Sequence, residues 1–96
     1  MKEINLRNIP SDFRDQKDIH TALAWNAVKK ILTENHREEL FGYIQSIRLT
    51  EKYIIITTGK PIINAEILLF RNALLEKIHH DIRKYSPIPE KKLRVA

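Results

Sequence analysis

Apolar residues along this chain change period three times, and each change marks an element. From about Asp15 to Asn35, Ile19, Leu23, Ala27 and Ile31 recur at every fourth position. Ala24, Val28 and Leu32 widen that stripe, which predicts an amphipathic helix with a core-facing surface. Asp12 or Asp15 is a suitable N-terminal cap, and Asn35-His36 suits the C-terminal end, since Asn tolerates the left-handed conformation. His36 to Phe41 reads as one further short turn, stopped by Gly42.

The period then shortens to two. Tyr43 to Leu49 predicts a half-buried strand with Ile47 and Leu49 on one face and Ser46 and Arg48 on the other. After a turn at Thr50-Glu51, Lys52 to Thr58 predicts a second strand, with Tyr53, Ile55 and Thr57 on one face and Ile54, Ile56 and Thr58 on the other. Apolar character on both faces places this strand centrally, or under a partner that covers its back. Gly59-Lys60-Pro61 breaks the strand, and proline suits the first position of a helix because its missing N–H would have gone unpaired. Ile63, Ile67, Phe70, Leu74, Ile78 and Ile82 then form one i+3/i+4 stripe, which predicts a single long helix from Pro61 to about Lys84. Tyr85-Ser86-Pro87-Ile88-Pro89 ends it, since a residue before proline is pushed out of the α region. Lys92 to Val95 predicts a short third strand.

Residues 1–14, with Pro10 and irregularly spaced apolar positions, read as a flexible arm, and residues 15–96 as one domain. The expected order is α–β–β–α–β. Two helices on one face of a three-stranded sheet make a two-layer α+β sandwich. The long helix supplies the crossover that returns the last strand to the sheet.

Composition narrows the function classes. With 96 residues and 43% hydrophobic content, the chain can build one modest core. It has no cysteine, which removes disulfides, thiol catalysis and cysteine-ligated zinc. The opening residues carry no apolar signal region and no run is long enough to span a bilayer, so the expected location is cytoplasmic. Seventeen Lys and Arg against twelve Asp and Glu give +5. The excess gathers at the end: from Lys77 to Ala96 six cations stand against two anions, a net +4. A basic cluster attracts polyanions by releasing their counterions.

Catalytic and metal chemistry find little support. His79 and His80 are adjacent on a helix and point about 100° apart, so they do not converge on one metal as i, i+4 histidines do. Ser46, Thr57, Thr58 and Ser86 lack a nucleophile-elbow pattern, and Glu38-Glu39 diverges in the same way as the histidines. The expectation is a non-enzymatic protein with no cofactor and no metal. The candidate nucleic-acid contacts are Lys60 and Arg71 around the second helix, together with Arg83, Lys84, Lys91, Lys92 and Arg94. At the Gly59-Lys60-Pro61 junction a phosphate could meet helix N–H groups, although one glycine falls far short of a P-loop. Trp25 and Phe41 are candidate protein-partner contacts, although a Trp on a broadly apolar helix is more often a core or edge anchor. Tyr43 and Tyr53 are suited to base stacking or to sheet packing.

Several of these segments together resemble a known family. Trp25-Asn26-Ala27-Val28, the strands at Ile44–Leu49 and Tyr53–Thr58, and the helix with Glu66-Ile67, Phe70-Arg71, Leu74-Leu75 and Ile78 are similar to the DciA-type bacterial replicative-helicase loader domain. Lys92-Leu93-Arg94-Val95 stands where that family has its closing, arginine-containing strand. The likeness covers about three quarters of the chain and is carried mostly by hydrophobic pattern. It implies a KH-like fold, binding to the replicative helicase and affinity for single-stranded DNA. Lys29-Lys30 stand where the family usually has a glycine, and there is no Gly-x-x-Gly loop of the RNA-clamping kind. Two other readings share the same outline: a KH-like RNA-binding ribosome-maturation factor, and a pure protein-interaction module.

Overall fold

A computed structural model describes residues 16–96. The expected arm at 1–14 and the caps at Asp12 or Asp15 lie outside the described residues. Helix α1 spans Gln16–Glu34 and buries Ala24, Ala27, Val28 and Leu32. It ends in a Schellman motif: the Arg37 N–H donates to Leu32 O at 2.8 Å and the His36 N–H to Thr33 O at 3.0 Å. The left-handed residue this motif needs is His36, at φ 59°, and not Asn35. The short helix α2 (Glu38–Phe41) follows and sinks Leu40 into the core.

Strands β1 (Ser46–Leu49) and β2 (Tyr53–Thr57) pair antiparallel, and β3 (Lys92–Val95) joins β2 in parallel, giving the order β1-β2-β3. The expected central place of β2 holds. The first strand begins three residues later than expected, because Tyr43 and Ile44 are still tied to the end of α2 by N–H bonds to Leu40 O and Phe41 O. Ile54 and Ile56 are fully buried, with Ile47 beside them, so this face of the sheet carries the helices.

The long helix expected from Pro61 to Lys84 is divided. Helix α3 spans Pro61–Leu68 and helix α4 spans Arg71–Arg83. No glycine or proline lies at the break. Phe70 sits at φ −103°, ψ 15°, and its N–H reaches Ile67 O in a tighter i→i−3 bond. Helix α4 lies along α1, and both α3 and α4 touch β3. The apolar stripe survives the break, with Ile67, Leu74, Ile78 and Ile82 all fully buried. Each such side chain contributes about 1.5–3 kcal/mol, against about 0.5–1.5 kcal/mol for a helical hydrogen bond given up. Burial outweighs helical continuity.

Candidate nucleic-acid interface

Among the described residues the helices cover one face of the sheet and leave the other open, and the register decides what stands on each. Across β1 and β2, Ser46 is opposite Thr57 and Arg48 opposite Ile55; across β2 and β3, Tyr53 is opposite Lys92 and Ile55 opposite Arg94. Directly paired residues share a face. Arg48, Ile55 and Arg94 therefore form one row across all three strands, on the side away from the helices. Arg48, Lys92 and Arg94 are exposed, and Ile55 is half-buried. Tyr53 is 37% exposed, and the Arg94 guanidinium carbon lies 6.0 Å from its ring centre, at the outer range of a cation–π contact. Among the described residues no carboxylate stands on these strand positions. Glu51 belongs to the β1–β2 turn, next to Lys52.

The other sequence candidates scatter. Lys60 caps the N-terminal end of α3 and Arg71 opens α4, so α3 separates them and they do not flank one helix start. At the Gly59 junction the Lys60 N–H donates to Thr58 Oγ1 at 3.1 Å, and the Thr58 hydroxyl turns toward Asn64 Oδ1. Gly59 is at φ 73°, a conformation that favours glycine. The junction thus satisfies itself as a strand-to-helix turn. Arg83 and Lys84 border an open groove beside α4 that also holds Glu76 and Glu90, so charge there is mixed. Arg83 additionally donates to Ile88 O at 3.3 Å.

Lys91 departs most from the sequence expectation. It is 8% exposed, and its ammonium donates to Thr50 O at 2.6 Å and to Glu51 O at 3.1 Å. The β1–β2 loop is Glu51-Lys52, closed by the Thr50 N–H on Tyr53 O, one residue later than predicted. It has no Asn-Gly step of the sort that favours tight hairpins. Lys91 takes up the carbonyls such a turn leaves over. Its charge is spent inside the fold and does not face a phosphate.

The proposed partner contacts Trp25 and Phe41 face each other. Their rings meet edge to face, 5.6 Å apart at 84°, and both pack partly buried against the core. Lys29 Nζ lies 6.0 Å from the Phe41 ring centre. Arg37 bridges Glu39 at 2.6 Å and Glu66 at 2.8 Å, tying the start of α2 to α3. These bonds raise the Arg37 pKa, chiefly through Glu39, and Arg37 lowers that of Glu39. Among the described residues no cluster of three or more His, Asp or Glu is suited to a metal, and no helix is long and apolar enough to cross a membrane.

Arg48 is the residue that sequence reasoning placed on the polar face of its strand yet left out of the basic set. Alternation with Ile47 and Leu49 was the available signal; its alignment with Arg94 needs the pairing register. No protein-family model matches the chain, and neither a curated protein nor a solved structure is found similar to it.

Proposed function

We propose that this protein is a non-enzymatic nucleic-acid-associated adaptor, akin to the DciA-type helicase loaders that its sequence resembles, built on a KH-like arrangement. One observation carries the reading: Arg48, Lys92 and Arg94 stand exposed on one sheet face, with no carboxylate on its strands among the described residues. A single-signed patch of this kind draws a polyanion by counterion release, whereas the mixed groove beside α4 does so less. The helix–hairpin–helices–strand order, with β3 parallel to β2, is compatible with the KH-like part of the reading.

The test is fluorescence anisotropy of a labelled DNA oligonucleotide across a salt series. Affinity falls as salt rises, with a log–log slope of about −2 if three cations act on a single strand. Binding that is absent at low salt, or flat across the series, overturns the nucleic-acid half of the proposal. The adaptor half is tested separately by capture of purified replicative helicase, and failure to retain it removes the loader assignment alone.

A further inference from the structure

Helix α3 turns an apolar face outward. Every exposed side chain of Pro61–Leu68 and its cap residue Leu69 is apolar: Pro61, Ile62, Ala65, Leu68 and Leu69. At about 100° per residue these five fall within an arc of about 120°. Ile62 is 78% exposed and Leu69 76%. The polar side chains of the helix are engaged within the fold, Asn64 with the Thr58 hydroxyl and Glu66 with Arg37. Apolar residues scattered singly over a surface are ordinary, whereas a contiguous patch marks a contact.

Charge decides what that contact is. Lys60 precedes α3 and Arg71 follows it; both are exposed, and among the described residues neither is ion-paired with a carboxylate. A second copy of the chain fits poorly. Antiparallel pairing that sets Ile62 opposite the other Leu69 also sets Lys60 opposite Arg71, and parallel pairing sets each cation opposite itself, which is repulsive either way. A protein groove also fits less well, because protein contacts draw their energy from Trp, Tyr and Arg anchors with Leu under-represented, and the exposed face of α3 is aliphatic throughout. Lipid tails make no directional demand, and anionic headgroups match cations at both ends.

We infer that α3 lies flat on an anionic lipid surface, with Ile62, Leu68 and Leu69 in the headgroup–acyl boundary and Lys60 and Arg71 among the headgroups. Stable attachment to a membrane takes two signals, and here a short apolar face and a pair of cations act together. The chain's net +5 adds long-range attraction. The contact is peripheral, since no described helix is long and apolar enough to cross a bilayer. It uses none of Arg48, Lys92 and Arg94 and stands apart from the nucleic-acid reading.

The experiment sediments the full chain with vesicles of phosphatidylcholine and phosphatidylserine in equal parts, and with vesicles of phosphatidylcholine alone. The chain is expected to pellet with the anionic vesicles and to stay in solution with the neutral ones. Combined Ile62→Glu and Leu69→Glu lower the binding at least about tenfold and leave DNA anisotropy unchanged. Combined Lys60→Glu and Arg71→Glu lower it as well. In wild-type protein, which needs no variant to fold, spin-labelled lipid broadens the amide signals of Ile62, Ala65 and Leu69. Failure to pellet with anionic vesicles overturns the inference, and so does full binding by the folded Ile62→Glu, Leu69→Glu protein. Equal pelleting with neutral vesicles overturns it too, since the cations then contribute nothing. Broadening confined to Arg48, Lys92 and Arg94 moves the lipid to the open sheet face and has the same effect. A dimer joined through α3, or helicase captured through α3 without vesicle binding, gives the face to a protein and overturns it. Each of these outcomes leaves the nucleic-acid reading standing, which fails only on loss of DNA binding.

Discussion

The backbone N–H of Lys91 donates to His79 Nε2 at 2.9 Å, and this bond joins the last strand to α4. A backbone N–H can only donate, so Nε2 is the acceptor nitrogen. The other ring nitrogen, Nδ1, lies 2.7 Å from Leu75 O, which can only accept, so Nδ1 carries the proton. The buried imidazole is held as one neutral tautomer. Twelve residues further on, the Lys91 side chain carries the connection across to the β1–β2 turn.

Lys91→Met should therefore cost stability without costing nucleic-acid affinity. Hydrogen bonds from a charged donor contribute about 1.5–3 kcal/mol each, less where water can replace it, so a net loss of about 1–3 kcal/mol is expected. His79→Phe strands the Lys91 N–H and should cost a similar amount. Urea unfolding and DNA anisotropy on the same samples check both. Full stability with lost binding in Lys91→Met would return Lys91 to the interface.

His20 supplies a pH dependence. Burial lowers its pKa from 6.5, and the nearby Lys91 charge lowers it further. The unfolded chain thus takes up a proton at a higher pH than the folded one. The stabilisation is fully present above about pH 6.5 and is lost as pH falls through the folded value. Melting temperature should drop across that window in wild type and drop less in His20→Gln. Parallel curves for the two proteins would remove His20 as the source.

His36 holds the left-handed position of the α1 Schellman motif without being glycine. That conformation costs an L-residue about 1–2 kcal/mol, and glycine returns part of the gain as unfolded-state entropy. His36→Gly should stabilise by about 0.5–1 kcal/mol, or about 2–8 °C in Tm. His36→Val should lower it. Calorimetry of the two variants decides, and a destabilising glycine would contradict the assigned cap.

Leu69, at the end of α3, and Leu74, on the buried stripe of α4, are unequal. Leu69 is 76% exposed, while Leu74 is fully buried. Leu69→Glu should stay within about 0.5 kcal/mol of wild type, and Leu74→Ala should cost about 2–5 kcal/mol. Chemical denaturation of the two variants checks this, and equal losses would contradict the assigned burial.

Much of this architecture is legible along the chain because local periodicity reflects burial. The i+4 stripe of α1, the β-branched run at Tyr53–Thr57, Pro61 as a helix start and the proline-rich stop after α4 each follow from local sterics and one-sided burial. The stripe from Ile67 to Ile82 is likewise correct in its buried positions, since periodicity reports which side chains go inside.

Periodicity does not report direction or pairing. No glycine or proline marks the stop at Leu69-Phe70, so the helix break is not written in the local sequence. The fate of the cations is decided in the same way. Lys91 and Lys92 are neighbours of equal charge, yet one is drawn under a hairpin turn and the other stands in the open, because successive residues entering a strand point to opposite sides. Arg48 and Arg94 lie far apart in sequence and join one row only through their shared neighbour Ile55. The chain by itself determined which residues are apolar, which segments are helix or strand and that the end is basic. Tertiary pairing alone decided which of those charges face the same way, since register is a long-range property that no single segment contains.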